Sequence, residues 1–530
     1  MTANRPIECD LVISGGTILD GTGDAARPGD VGVTGDRIRA VTDAGGLTAP
    51  RVVDAAGLVV CPGFIDLHSH ADFSIAGHPG ADTALAQGVT TLLTGNCGWS
   101  PFPLSDRDAL PRATEFLQPE LDWGWSDAAG YADAVDATEP AVNIALQVGH
   151  SSIRLAVLGS DDRPPDEDEL VRMRDLVAQA ADQGVHGFST GLIYAPGCYA
   201  DTAEVAALVQ AAAESGLLYS THMRNESAQL LESVREALDT AATAGARLEI
   251  SHLKAMGPSN HGTVDAALRL IDQAAADGVD VSCDVYPYTA SSTTLTSFLP
   301  TWSMDGGVDQ LLERLSDPDT RAWVCSELRE QLAGDVDPAA IVIADLPPGP
   351  HADAVGRSLA DVAAGLGTDA ADAALRLLGD HRGAVAIVHH GMADRDVSAA
   401  LAHPLTSVAS DGWTMRPTGS GRPHPRSFGT FSRVLGRFVR EGGELELAEA
   451  VRKMTSLPAA RAGLRDRGVL SSGAFADVAV LDPATVIDRS TFDDPWQLST
   501  GVAHVLVAGQ PAVRDGAVTG DRHGKMLRRT

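Results

Sequence analysis

The chain has 530 residues, 44% hydrophobic and 21% charged, an ordinary balance for a globular protein and enough length for more than one core. A formal net charge of -31 argues against nucleic acid and anionic membrane as partners. The N-terminus MTANRPIECD lacks a signal-peptide pattern, no apolar run nears the ~20 residues of a membrane span, and six scattered cysteines make no disulfide framework, so a cytoplasmic, reduced protein is expected.

Residues 9–61 read as short strands broken by glycine turns (LVISGG, DVGVTGDRIRAV). The run FIDLHSH (64–70) follows, with His68 and His70 two residues apart. In a strand such residues point to one side, so a strand ending here aims both imidazoles into one cavity, where they can share a divalent metal. A lone His-x-His pair is weak evidence. Its weight comes from the residues that close later apolar runs.

The run VTTLLTGNCG (89–98) closes on Cys97 between glycines, which leaves a thiolate room to reach a metal; the bland alternative is an inert core cysteine, the reading given to Cys9, Cys61, Cys198, Cys283 and Cys325. VNIALQVGH (142–150) reads as another strand. Between about 165 and 290 the rhythm is regular: helical stripes such as Leu170, Met173, Val177 and Ala180 stop at a glycine, and an apolar run follows. The runs are HGFSTGL (186–192), LLYSTHMR (217–224), RLEISHLK (247–254) and VDVSCDVYPY (279–288). Strands alternating with helices at this spacing mean a parallel sheet. His222 and His252 end consecutive runs in parallel contexts, which suits two ligands on one ion.

Residues 290–380 break the rhythm with a helical stretch from Val308 to Leu332 and the segment DLPPGPHAD, and read as an insertion, a lid over a barrel mouth. AVAIVHHG (384–391) and TSVASDGW (406–413) read as the last strands. In the latter, Asp411 is either a turn residue before glycine or a carboxylate that moves a proton for a metal-activated water. Residues 468–520 return to short strands (GAFADVAVLD, VAHVLVAGQPAV) that can join the N-terminal ones in one β domain. Nine strand candidates precede that end. An eight-stranded (β/α) barrel needs one fewer, so one run is misread or lies outside it. The expected architecture is a TIM-type barrel at 63–465 with the insertion, flanked by 1–62 and 466–530 as the halves of a small β-sandwich domain.

Lys254, two residues past His252, Tyr286, and Arg422 in a Gly/Pro/Arg-rich loop are candidates to recognise an anionic substrate. Tyr288 competes with Tyr286 from the same face. His150, His389 and His390 are held as pocket-lining candidates only.

The assembled motifs resemble the amidohydrolase superfamily through CPGFIDLHSHAD, the two later strand-end histidines and SDG. Within it they resemble the N-acyl-D-amino-acid deacylase (D-aminoacylase) family through GNCG, VGHSSIR, STGLIYAPG, THMRNE, SHLKAMG, DVYPYTASST, HPRSFGTFSRVL and KMTSLPAARAGLRDRG. The resemblance implies zinc-dependent hydrolysis of N-acyl-D-amino acids by metal-activated water, with Asp411 as general acid/base. It implies one tightly bound Zn2+ on Cys97, His222 and His252, and a second, weaker position at His68 and His70 that the cysteine can bridge. It further implies that Lys254, Tyr286 and Arg422 hold the α-carboxylate, and that Tyr194 and Met256 belong to the side-chain pocket. The only partner it implies is the small-molecule substrate; oligomeric state stays open. The runner-up is a cyclic-amide hydrolase of the hydantoinase or dihydroorotase type, whose strand-end lysine is replaced here by Cys97. A non-catalytic barrel is the reading from another class, and the presence of every candidate ligand weighs against it.

Overall fold

The structure, a computed structural model, describes residues 6–105, 109–114 and 121–529. Eight parallel strands pair in chain order: β1 (Phe64–Asp66), β2 (Val89–Thr94), β3 (Asn143–Gly149), β4 (Gly187–Gly191), β5 (Leu218–His222), β6 (Arg247–Ile250), β7 (Val281–Val285) and β8 (Thr406–Val408). A parallel bridge between Ser69 and Gly412 returns the chain of pairs to its start. It is flanked by two 2.8 Å bonds, His70 N–H to Gly412 O and Asp411 N–H to His68 O. The sheet is thus closed into the expected barrel.

The covering helices follow the hydrophobic stripes read from the sequence. Helix Glu167–Asp182 starts at a capping box of Asp166 and Glu169 and buries Met173, Val177 and Ala180 at helical spacing. Helix Leu230–Ala244 buries Leu230, Val234, Leu238 and Ala241 and stops at Gly245, whose φ of 65° is the left-handed turn that ends helices.

The surplus ninth candidate is AVAIVHHG. Its strand Ala386–His389 is the centre of a three-stranded antiparallel sheet, between Ser291–Thr294 and Ile341–Asp345. Val385 and Ile387 enter a separate core with Leu311, Val324, Leu328, Ile343, Leu375 and Leu378. A short apolar run covered on both faces looks the same in a parallel barrel as in this sheet. The excursion from the barrel therefore runs past 380. The expected Val308–Leu332 stretch is two helices, Val308–Ser316 and Pro318–Leu332, and Asp317 caps the second by accepting from Thr320 N–H at 2.9 Å.

Both chain ends contribute to one further sheet. Val59–Pro62 pairs with Leu11–Ile18 on one side and Val478–Leu481 on the other. Val59 and Cys61 join the barrel's core, whereas Val60 joins Ile13, Val31, Val478 and Leu506 in a second cluster, the period-two alternation of a strand buried on both faces. The last strand, Met526–Leu527, pairs with β3. Among the described residues no helix is long and apolar enough to cross a membrane, and all six cysteines are free thiols.

Candidate metal centre

Six potential ligands converge at the C-terminal mouth of the barrel, the end where barrel active sites lie. His68, His70, Cys97 and Asp411 each offer a ligand atom within 4.8 Å of the others, and so do Cys97, His222 and His252. Cys97 belongs to both sets. Its Sγ is 3.4 Å from His68 Nε2 and 3.5 Å from His252 Nε2.

Most of these side chains lie just past a strand. β1 ends at Asp66, and the backbone bonds to Asp411 and Gly412 carry His68 and His70 beyond it. Cys97, His252 and Asp411 have φ of 53°, 36° and 50°. Such left-handed backbone costs a non-glycine residue on the order of 1–3 kcal/mol and persists only where the surroundings enforce it. Here they do. His252 N–H donates to Asp284 Oδ1 at 2.8 Å. Ser189 Oγ donates to Gly95 O and accepts from Gly98 N–H at 3.0 Å, holding both ends of the Cys97 turn. A Cβ on Gly95 would stand 2.2 Å from Gln147 O, so that turn tolerates only glycine there.

Carboxylates orient the donors. Asp284 Oδ2 faces His68 Nδ1 at 3.3 Å, and Glu226 Oε1 lies 3.0 Å from His252 Nδ1. Asp411 bonds His70 Nε2 through Oδ1 at 2.9 Å and accepts from Arg426 through Oδ2 at 2.6 Å. His222 stands apart. It is buried, and neither ring nitrogen has a hydrogen-bond partner; Glu226 Oε2 is 3.5 Å from Nε2 without bonding geometry. A buried polar group without a partner is rare and costly, and a metal ion in the Cys97, His222, His252 set would satisfy it.

Burial sets the charges. It lowers His68 to about 3 and pushes His222 well below, and His252 below, the usual imidazole range, so all three are neutral and free to donate lone pairs. Burial and the nearby Asp411 push the Cys97 thiol well up. A thiolate there requires a cation, the inversion a bound metal produces. Burial opposes ionisation of Asp411, but the Arg426 guanidinium, with the hydrogen bond to His70, outweighs it and holds that carboxyl well below the usual carboxylate range. Glu226 is likewise drawn down against its burial by the Lys254 ammonium.

The amidohydrolase family pattern matches residues 51–513. The chain belongs to that family. The N-acyl-D-glutamate deacylase of Alcaligenes xylosoxydans xylosoxydans is 39% identical over 522 residues, covering 98% of this chain and 96% of that one. The D-aminoacylase of the same organism is 38% identical over 521 residues, 98% of both chains. The crystal structure of N-acyl-D-glutamate deacylase from Bordetella bronchiseptica, complexed with zinc and a phosphonate inhibitor that mimics the tetrahedral intermediate, matches with a TM-score of 0.83 at 37% identity, covering 98% of this chain and 100% of that one.

In this amidohydrolase a cavity of about 800 Å3 opens above the donors, and Lys254, Tyr286, Tyr194 and Met256 all line it. Lys254 Nζ donates to Glu226 Oε1 at 2.7 Å and is equally close to His252 Nδ1. The Tyr286 ring lies 5.1 Å from the Arg426 guanidinium and 5.8 Å from Lys254 Nζ. Tyr288 is off the cavity, donating to Pro425 O at 3.4 Å. Tyr194 packs on His222 with ring centroids 4.9 Å apart and bonds Thr293. Arg422 is not part of the wall: its backbone N–H bonds Ala344 O at 2.7 Å, and its half-exposed guanidinium stands 3.9 Å from Asp493. Arg426, four residues on, enters instead. His389 lines the cavity, His150 is bonded to Glu204 at 2.8 Å away from it, and His390 is exposed. Cys198, read as an inert core residue, also lines the cavity.

Sequence reasoning missed Glu226, Asp284 and Arg426. All three sit within quoted motifs: Glu226 in THMRNE four residues after His222, Asp284 in DVYPYTASST two before Tyr286, and Arg426 in HPRSFGTFSRVL. Attention to acids beside ligand histidines, which fix imidazole orientation, would have found the two acids.

Proposed function

We propose that this amidohydrolase cleaves the amide bond of N-acyl-D-amino acids, giving a carboxylate and a D-amino acid. The observation that carries the reading is the shared cysteine: Cys97 joins two donor sets beneath an ionised Asp411. Cys97, His222 and His252 would hold one zinc tightly, and His68 and His70 a second, weaker ion. When bound, zinc lowers the pKa of a coordinated water and polarises a carbonyl. Asp411 takes a proton from the attacking water and returns it to the departing amine nitrogen, so the C–N bond breaks as the new C–O bond is completed. Arg426 keeps Asp411 ionised and ready as the base. Lys254 and Tyr286 hold the α-carboxylate, while Tyr194 and Met256 face the side chain.

The same reading makes 1–62 with 466–530 one β unit beside the barrel, supported by their common sheet, and a cytoplasmic location, supported by six unpaired thiols. Hydrolysis of matched N-acetyl-D- and N-acetyl-L-amino acids and of dihydrouracil tests the function. Amine release from the D series alone is expected. Faster opening of dihydrouracil would move the substrate to cyclic amides.

A further inference from the structure

Part of the cavity wall, called here the second lobe, is not used by recognition of the amino-acid half. Lys254 and Tyr286 follow β6 and β7. Across the donors, past β8 and β2, the wall is formed by Trp413 and Met415, beyond Asp411, and by Trp99, two residues beyond Cys97. Trp413 packs against His70 with ring centroids 5.7 Å apart. Behind it, Phe73, Trp99, Leu110 and Leu155 form an apolar cluster of their own, separate from the barrel core, with Trp413 packed on its edge.

Among the described residues, several polar groups of this lobe already have partners. Ser74 and Thr414 bond each other at 2.8 Å, Arg416 Nε donates to His78 Nδ1 at 3.2 Å, and Arg112 is not free either. A polar ligand group gains little here, whereas apolar surface is removed from water. The whole cavity, which also runs beneath the insertion at Pro300, Met304 and Asp335, has about 800 Å3, within the ~300–1,000 Å3 of sites that hold drug-sized ligands and roomy enough for more than an N-acetyl amino acid.

Resting on the deacylase reading above, we infer that this lobe receives the acyl substituent, and that the preferred acyl group is apolar and much larger than acetyl, an aliphatic chain or an arylacetyl group. A substrate with its α-carboxylate at Lys254 and Tyr286 and its carbonyl over Cys97 directs that substituent away from β6 and β7, toward Trp99 and Trp413. The reaction is unchanged: water adds to the acyl carbon, the C–N bond breaks, and the amine leaves with the proton.

The test compares N-acetyl-, N-octanoyl- and N-phenylacetyl-D-methionine with the metal-loaded enzyme. The larger acyl groups are expected to raise kcat/KM about tenfold or more, chiefly through KM. Trp413→Ala should shrink the octanoyl-to-acetyl ratio toward parity. Met415→Asp should do the same and serves if the first variant misfolds; the ratio cancels general damage. An acetyl substrate turned over as well as the larger ones overturns the inference and leaves the deacylase reading standing. No release from any of the three, nor from N-acetyl-D-glutamate, N-acetyl-D-aspartate or N-acetyl-D-leucine, defeats both.

Discussion

The two donor sets share one thiol but differ in what they lack. On the β1 and β8 side, His70, Asp411 and Arg426 satisfy one another through bonds of 2.9 and 2.6 Å. On the β5 side, His222 is buried with both nitrogens unpartnered, while Glu226 and Lys254 fix the neighbouring His252. His70 and Asp411 of the first set are hydrogen-bonded, whereas His222 of the second has no hydrogen-bond partner. On the function proposed above, such an arrangement would bind one metal tightly at Cys97, His222 and His252 and a second more weakly. In that proposal Asp411, bonded to His70 and Arg426, moves protons rather than holding an ion tightly.

Removing the shared atom should erase the difference. Cys97→Ala is expected to lose metal from both sets and drop turnover to background, measured by metal analysis of the purified protein beside amine release. Full metal content in that variant would mean the two sets do not depend on the thiol. Asp411→Asn should separate chemistry from binding: metal retained, kcat lower by roughly 10²- to 10⁴-fold, the usual worth of a positioned proton-transfer group. Unchanged kcat would remove Asp411 from its role.

Asp284 reaches both sets, through His68 Nδ1 at 3.3 Å and His252 N–H at 2.8 Å. Asp284→Asn should weaken metal affinity about 10- to 100-fold, as losing a carboxylate behind ligand histidines does elsewhere. A competition titration with a chelator reads this directly, and wild-type affinity would show that the carboxylate orients neither ring. The smallest effect is expected from Ser189→Ala, which frees both ends of the Cys97 turn. Two lost hydrogen bonds predict roughly 1–2 kcal/mol of lost stability in a denaturant titration. No loss would place the constraint on that turn in its glycine packing alone.

The barrel was legible because its signals are local. A buried stripe, a glycine stop and an apolar run recur from Leu170 to Tyr288, and the chemistry-bearing residues follow the runs directly. The insertion was not legible in the same way. Ala386–His389 has the apolar, two-sided burial of a barrel strand, and only its antiparallel partners Ser291–Thr294 and Ile341–Asp345, distant in sequence, reveal where it belongs. The site divides similarly. His68, His70, Cys97, His222, His252 and Asp411 announce themselves by type and position. The orienting acids Glu226 and Asp284 do not, since an acid in a loop or strand looks ordinary until the ring it faces is known. The loop after Asp411 holds both Arg422 and Arg426, and spacing alone does not tell which guanidinium turns inward. That depends on Arg426 lying in the first turn of helix Arg426–Arg433, buried against Asp411.

The most direct test of the central claim is the metal retained by wild type, His70→Ala and His222→Ala after dialysis against the same chelator. The account predicts that His70→Ala keeps its tightly bound ion as wild type does, while His222→Ala keeps none. Equal retention in the two variants, or greater loss from His70→Ala, would contradict it.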